Sequence, residues 1–321
     1  MRILDAEAAA AKEGLSREDW LEYRRQGIGG SDAAGIAGLH PYKSGLQVYL
    51  DKQGLLPEQP DNERMRQGRD LEEYVVRRFK EDMEEKGTPK KTKNCNYILR
   101  SVKYPFMLAN VDRLIEGERA GLECKTTSVL NLRRFKNGEY PVEYYAQCVH
   151  YMAVTGAERW YLGVLILNQG YETYIVERDE EEMEHLIKLE KEFWEENVLK
   201  KKEPAPDGSA GDGEALFIQY PKGDAERETD LSLFDREIER YVTLSKEIKE
   251  REKEKEKIKQ RVQAYMKESA HGSAGEYTVS WKNCESCRLD VAALKSDLPE
   301  VYRKYLRTSE GRRFVILPSV V

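Results

Sequence analysis

Long hydrophobic runs are missing from this 321-residue chain. The longest apolar stretch is the short segment at 161–167, far below the ~20 residues that span a bilayer, so a soluble chain with no membrane partner is expected. A secretory signal is missing too. Residues 1–15 hold an alanine run, but no basic region precedes it and Asp5, Glu7 and Glu13 interrupt it, so a cytoplasmic location is expected. Cysteine is scarce: Cys95, Cys124, Cys148, Cys284 and Cys287 are odd in number and scattered. They supply neither a disulfide framework nor the four-cysteine set of an iron–sulfur cluster.

An excess of positive charge is also lacking. Lys and Arg number 53 against 59 Asp and Glu, a net charge of −6, which argues against a protein that holds nucleic acid through bulk charge alone. The deficit is local, because residues 1–150 carry +1, 151–250 carry −12 and 251–321 carry +5. Basic groups at Arg24 and Arg25, at 90–93 and at 133–136 remain available for phosphate contacts.

Start and stop signals predict the elements. Ser16 with Asp19 three residues on predicts a helix over 16–25. The glycines of 27–30 form a tight turn, and Ser31 or Asp32 caps a short helix over 33–39. Helices over 44–53 and 62–85 follow, then a basic turn at 90–93 and strands over 96–104, 106–116 and 122–127. Pro141 opens a helix that Gly156 stops. Strands over 160–167 and 173–176 and an acidic helix over 179–200 complete a core at 1–202. The Pro- and Gly-rich stretch 204–213 marks a linker, taken as 203–228. The extension at 229–321 holds one long helix over 231–267, a helical hairpin partner or short coiled coil with a charged middle. A strand over 276–282, a helix over 291–306 and a strand over 312–317 end it.

The chemistry sits on the hairpin formed by 106–116 and 122–127. Side chains alternate along a strand, so Glu123 and Lys125 share a face. A turn centred at 118–119 sets Asp112 opposite Lys125, with Glu123 one step along. Two carboxylates and an ammonium then converge, a donor set that suits Mg²⁺ or Mn²⁺. The lysine could orient or deprotonate an attacking water or stabilise phosphorane charge. A cross-strand salt bridge on an exposed face would show the same spacing. Two features favour the chemical reading. Glu72 falls on the apolar row of Met65, Gly68, Val76 and Phe79, where a lone charge is costly, while Glu73 lies on a solvated row. Gln147 and Tyr151 share one face of the 141–155 helix and can look into the same site; His150 lies off that face and is taken as incidental.

With Glu72, Asp112, Glu123-Cys124-Lys125 and Gln147 with Tyr151 in this order, behind Arg24, Arg25 and the Gly29-Gly30-Ser31-Asp32 turn, residues 15–200 resemble the YqaJ-like phage recombinase exonucleases. These are relatives of phage lambda exonuclease in the PD-(D/E)xK nuclease superfamily. The resemblance implies an α/β fold with a central mixed sheet flanked by helices, and two-metal cleavage of linear double-stranded DNA from its ends, 5′ to 3′. It also implies work beside a single-strand annealing recombination protein and, in some relatives, a ring-shaped homo-trimer. By position, Asp112 and Glu123 resemble the metal ligands, with the Cys124 carbonyl as a third. Lys125 resembles the catalytic lysine, Glu72 the acid that completes the site through metal or water, and Gln147 and Tyr151 the positioning pair. Ser31 resembles the group that holds the terminal 5′ phosphate, helped by Arg24 or Arg25, with Arg24 favoured. A nuclease of another subfamily, endonucleolytic or for repair, and a non-cutting DNA-binding scaffold are the alternatives.

Overall fold

The computed structural model describes residues 1–57, 61–308 and 311–317, without the side chains of Lys136 and Asn137. The chain divides into two units, residues 1–220 and 221–321. In chain order the first holds β1 (Arg2–Ile3), β2 (Ala6–Ala11), α1 (Arg17–Arg25), β3 (Ile28–Gly29), α2 (Gly30–Ile36), α3 (Gly45–Lys52) and α4 (Glu63–Glu85). Next come β4 (Thr92–Asn94), β5 (Tyr97–Ser101), β6 (Met107–Ala109), β7 (Arg113–Ile115) and β8 (Ala120–Ser128). A 3₁₀ segment (Val129–Gly138) leads to α5 (Val142–Thr155), β9 (Arg159–Leu167), β10 (Gly170–Glu177), α6 (Glu180–Glu192) with a π-helical continuation to Leu199, and α7 (Ala210–Gln219).

The architecture is mixed α/β, with two five-stranded mixed sheets in place of one. Their orders are β1-β2-β5-β6-β3 and β10-β9-β8-β7-β4, with β3–β6 and β8–β9 parallel and the other pairs antiparallel. The parallel β8–β9 pair needs a crossover, and α5 supplies it. Gly156 closes α5 in the left-handed conformation at φ 67°, which glycine adopts without a Cβ penalty. At Gly121 a Cβ would lie 2.3 Å from the Trp160 ring, so only glycine lets that indole cross β8.

The strand expected over 106–116 is broken at 110–112. Those three carbonyls take side-chain donors instead of a ladder: Tyr151 Oη at Asn110 (3.1 Å), Lys12 Nζ at Val111 (2.8 Å) and Arg113 Nη1 at Asp112 (2.7 Å). Buried carbonyls need partners, and these three donors let the chain leave the sheet where Asp112 sits. The basic turn at 90–93 runs partly into strand β4, and the alanine run, read as no element, is strand β2. Residues 210–219, expected within the linker, form α7, whose Ala215 is buried with Leu46 and Val48 of α3.

In the second unit α8 (Asp235–Met266) is followed by the hairpin β11 (His271–Ala274) and β12 (Tyr277–Ser280), then α9 (Val291–Asp297) and α10 (Pro299–Tyr305). The helix expected over 291–306 divides at Pro299, whose ring keeps Leu298 out of the helical region, at φ −131° and ψ 60°. The strand expected over 312–317 is not formed. Among the described residues no helix is long and apolar enough to cross a membrane.

Candidate active site

The β7–β8 hairpin pairs Arg113 with Leu122 and Leu114 with Gly121. Extending that register sets Asp112 beside Glu123, not Lys125 as the sequence predicts. Gly117, with φ 78°, permits the turn one residue earlier than expected. The displacement is an even number of residues, so the faces are kept while the partners change. Asp112 Oδ2 accepts the Cys124 backbone N–H at 2.8 Å, fixing the acid against β8.

Glu123, Lys125, Gln147 and Tyr151 close into one network. Lys125 Nζ lies 2.7 Å from Glu123 Oε1 and donates to Gln147 Oε1 at 2.8 Å. The Gln147 amide in turn donates to Glu123 Oε1 (2.7 Å) and Tyr151 Oη (2.9 Å). Gly30 makes room for this helix face: a Cβ there would meet Tyr151 at 2.7 Å and Gln147 at 3.0 Å. Glu123 Oε2 is buried with no hydrogen-bond partner, a costly state for a carboxylate oxygen.

Burial, then the charges of Glu123 and Glu72, pushes the Asp112 carboxyl well above the usual carboxylate range. Burial works against the Lys125 charge, yet Glu123 and Asp112 hold its ammonium above the ordinary lysine value. A lysine held charged in this way can donate hydrogen bonds and stabilise negative charge. Its Nζ also lies 5.2 Å from the Tyr144 ring centroid.

Glu72 is half-buried and Glu73 exposed, as their rows predict, and Glu72, near enough to Asp112 to raise the pKa of that acid, has an arginine as its partner. Arg113, itself buried, takes Glu72 Oε1 at 2.5 Å and also pairs with Glu73. Among the described residues no three or more His, Cys, Asp or Glu side chains group as a metal cage. The oxygen donors facing one another are Asp112 and Glu123, and the unpartnered Glu123 oxygen fits a hard cation there.

A cavity of about 190 Å³ joins these acids to the glycine turn, lined by Asp112, Glu123, Gln147, Arg24 and Ser31 among others. Arg24 Nη2 donates to Ser31 Oγ at 3.3 Å and its guanidinium stacks 4.9 Å from the Trp20 ring centroid. Arg25 points elsewhere, donating to the Asp51 carbonyl at 3.1 Å. Asp32 is fully buried and accepts the Gly29 N–H. Burial alone would raise its pKa, but Lys43 (2.5 Å) and Lys52 (2.6 Å), with Arg24, hold it well below the usual range.

Sequence reasoning missed Lys12, Lys43, Lys52, Arg113 and His150. A lysine one turn past Val48 on an apolar face was the signal available for Lys52. His150 is fully buried, not incidental: Nδ1 faces Glu190 Oε1 at 2.8 Å and Nε2 faces the Leu108 carbonyl at 2.9 Å. Both ring nitrogens face oxygen atoms, and the neighbouring Glu190 carboxylate favours the charged, doubly protonated ring. Burial opposes that charge, but Glu190 outweighs it and raises the His150 pKa; burial raises Glu190 too, so the pair keeps its proton. A raised histidine pKa stabilises the fold fully below the unfolded value of about 6.5 and loses that contribution as pH rises through the folded value. The urea midpoint of the wild type is therefore expected to fall above about pH 6.5, and that slope to flatten in His150→Gln, itself destabilised by about 3 kcal/mol. An unchanged slope in the variant would remove His150 as its source.

Among solved structures, the chain resembles an alkaline exonuclease from Laribacter hongkongensis at 18% identity, over 63% of this chain and 96% of that one, with a TM-score of 0.45. A phage-related exonuclease from Haemophilus somnus 129PT matches at 14% identity over 55% and 96%, with a TM-score of 0.38. An uncharacterized protein YqaJ of Bacillus subtilis (strain 168) is 38% identical over 315 residues, 97% of either chain. The model of the YqaJ-like viral recombinase domain matches residues 19–158, a span that holds the glycine turn, both acids, Lys125, Gln147 and Tyr151. By its match along nearly the whole length of a relative and by this domain, the chain belongs to the YqaJ-like viral recombinase family.

Proposed function

We propose that this protein is a metal-dependent exonuclease of phage-type recombination that hydrolyses linear double-stranded DNA from its ends, 5′ to 3′, in the cytoplasm. The reading is carried by one observation: a buried Glu123 oxygen without a partner, beside a second buried carboxylate whose proton affinity is raised. Such a pair is stabilised by a cation. Asp112, Glu123 and the Cys124 carbonyl would hold Mg²⁺ or Mn²⁺, with Glu72 reaching it through water; two ions are what the family resemblance implies. When bound, the metal supplies Lewis acidity and a water activated near neutral pH.

The chain's own groups do the rest. Lys125, fixed by Glu123 and Gln147, places a positive charge where negative charge grows on the phosphate. Tyr151 and Gln147 hold that lysine and Glu123 in one orientation. Arg24 and Ser31 bind the 5′-terminal phosphate at the far end of the cavity and set the distance from strand end to acids. The single-strand annealing protein and the ring trimer belong to this reading as the partner and assembly the resemblance implies.

Mn²⁺ titrated into the protein should raise the wild-type melting temperature and leave Glu123→Gln unmoved; equal shifts in both would place the ion elsewhere. Arg24→Ala should lower the preference for 5′-phosphorylated over 5′-hydroxyl duplex by about tenfold, the worth of one charge-assisted pair. An unaltered preference would free Arg24 of that role, while Arg25→Ala should leave the ratio unchanged.

A further inference from the structure

The helix α8 carries an apolar stripe that its own unit does not cover. Tyr241, Leu244, Ile248, Ile258, Val262 and Tyr265 are between 38 and 90% exposed, and Met266 is the one buried residue of the helix. Phe314 meets Tyr241 edge-on at 6.1 Å, at one end of the stripe.

The six positions, with Arg251 and Lys255 between them, advance by alternating steps of three and four residues. That is the a/d seam of a coiled coil, about 36 Å long at 1.5 Å per residue. The seam reads the same from both ends. About its midpoint at residue 253, Tyr241 mirrors Tyr265, Leu244 mirrors Val262, Ile248 mirrors Ile258 and Arg251 mirrors Lys255. Two copies laid antiparallel therefore match every apolar position with an apolar one.

Charge selects the same arrangement. Glu247 and Arg261 flank the seam on one side, equally far from residue 254, so an antiparallel partner sets each Glu247 against the other chain's Arg261. At the centre, Arg251 and Lys255 of both chains are bordered by Glu252 and Glu254 of both, and Arg251 already takes Glu254 of its own helix at 3.0 Å. A parallel pair would instead set Glu247 against Glu252, while Arg251 and Lys255 bring cation against cation in the seam of either arrangement.

We infer that α8 is a self-association surface that pairs antiparallel with α8 of a second copy of this chain. This pairing is separate from the proposed nuclease chemistry and from any assembly made by the first unit. It makes the solution mass of the full chain an even multiple of the chain mass.

Sedimentation equilibrium of the full chain tests it. The wild type should show an even multiple and Ile248→Asp half of that mass; Ile248 is exposed, so folding is not at issue, and unchanged helicity by circular dichroism checks this. Glu247→Arg and Arg261→Glu should each weaken the pairing about tenfold, from two ion pairs lost and two repulsions gained, and the double variant should restore it. In chains with Cys284 and Cys287 changed to serine, a short bis-maleimide should join a Tyr241→Cys chain to a Tyr265→Cys chain. Joining of 241 to 241, an odd-multiple wild-type mass, or a mass unaffected by Ile248→Asp would overturn the proposal.

Discussion

Asp112→Asn is expected to give a protein that is more stable than the wild type and inactive. The folded carboxyl binds its proton more tightly than the unfolded one because it is buried beside Glu123 and Glu72. For a carboxylate raised in this way the cost to stability builds as pH climbs from about 3.9 to the folded value and stays constant above it. Asparagine removes the charge and keeps an oxygen for the Cys124 N–H. A gain of about 1 kcal/mol, or about 2–4 °C in melting temperature, is expected at neutral pH. Nuclease activity should fall about 10³-fold, because a metal ligand is gone. Thermal melting and timed digestion of linear duplex, run on one preparation, check both halves; full activity would remove Asp112 from the centre.

Lys125→Ala is expected to be equally silent in digestion but opposite in stability. Its ammonium is the counter-charge of buried Glu123, so truncation leaves that acid with the Gln147 amide alone, at a cost of about 2 kcal/mol. Loss of one preorganised donor at a developing charge lowers turnover by about 10²–10³-fold. Mn²⁺ binding should survive, since no oxygen donor is lost. Loss of both metal binding and activity would make Lys125 a structural group only.

The contrast between these variants bears on how much the sequence discloses. Helix limits with a chemical signal are legible: Ser16 accepts the Asp19 N–H as cap of α1, and Pro141 and Gly156 bound α5. The faces of Glu123, Lys125, Gln147 and Tyr151 follow from the 2.0 and 3.6 periods, and the structure brings all four together. Partners do not follow from periods. The hairpin register turns on Gly117, the break at 110–112 on donors from three distant segments, and the partner of Glu72 on Arg113 across the molecule. His150 is invisible for the same reason: helical spacing sets it off the Gln147 face, and only the fold brings Glu190 and the Leu108 carbonyl to its two nitrogens.

The central claim is that these acids and Lys125 degrade DNA from an end with a bound metal. Timed digestion of linear duplex labelled at the 5′ or 3′ end, with closed circular duplex as control and Mg²⁺ supplied or chelated, tests it most directly. The account predicts early release of the 5′ label, late release of the 3′ label, an intact circle and no digestion under chelation. Cutting of the circle as fast as the linear duplex, or digestion indifferent to the chelator, would contradict it.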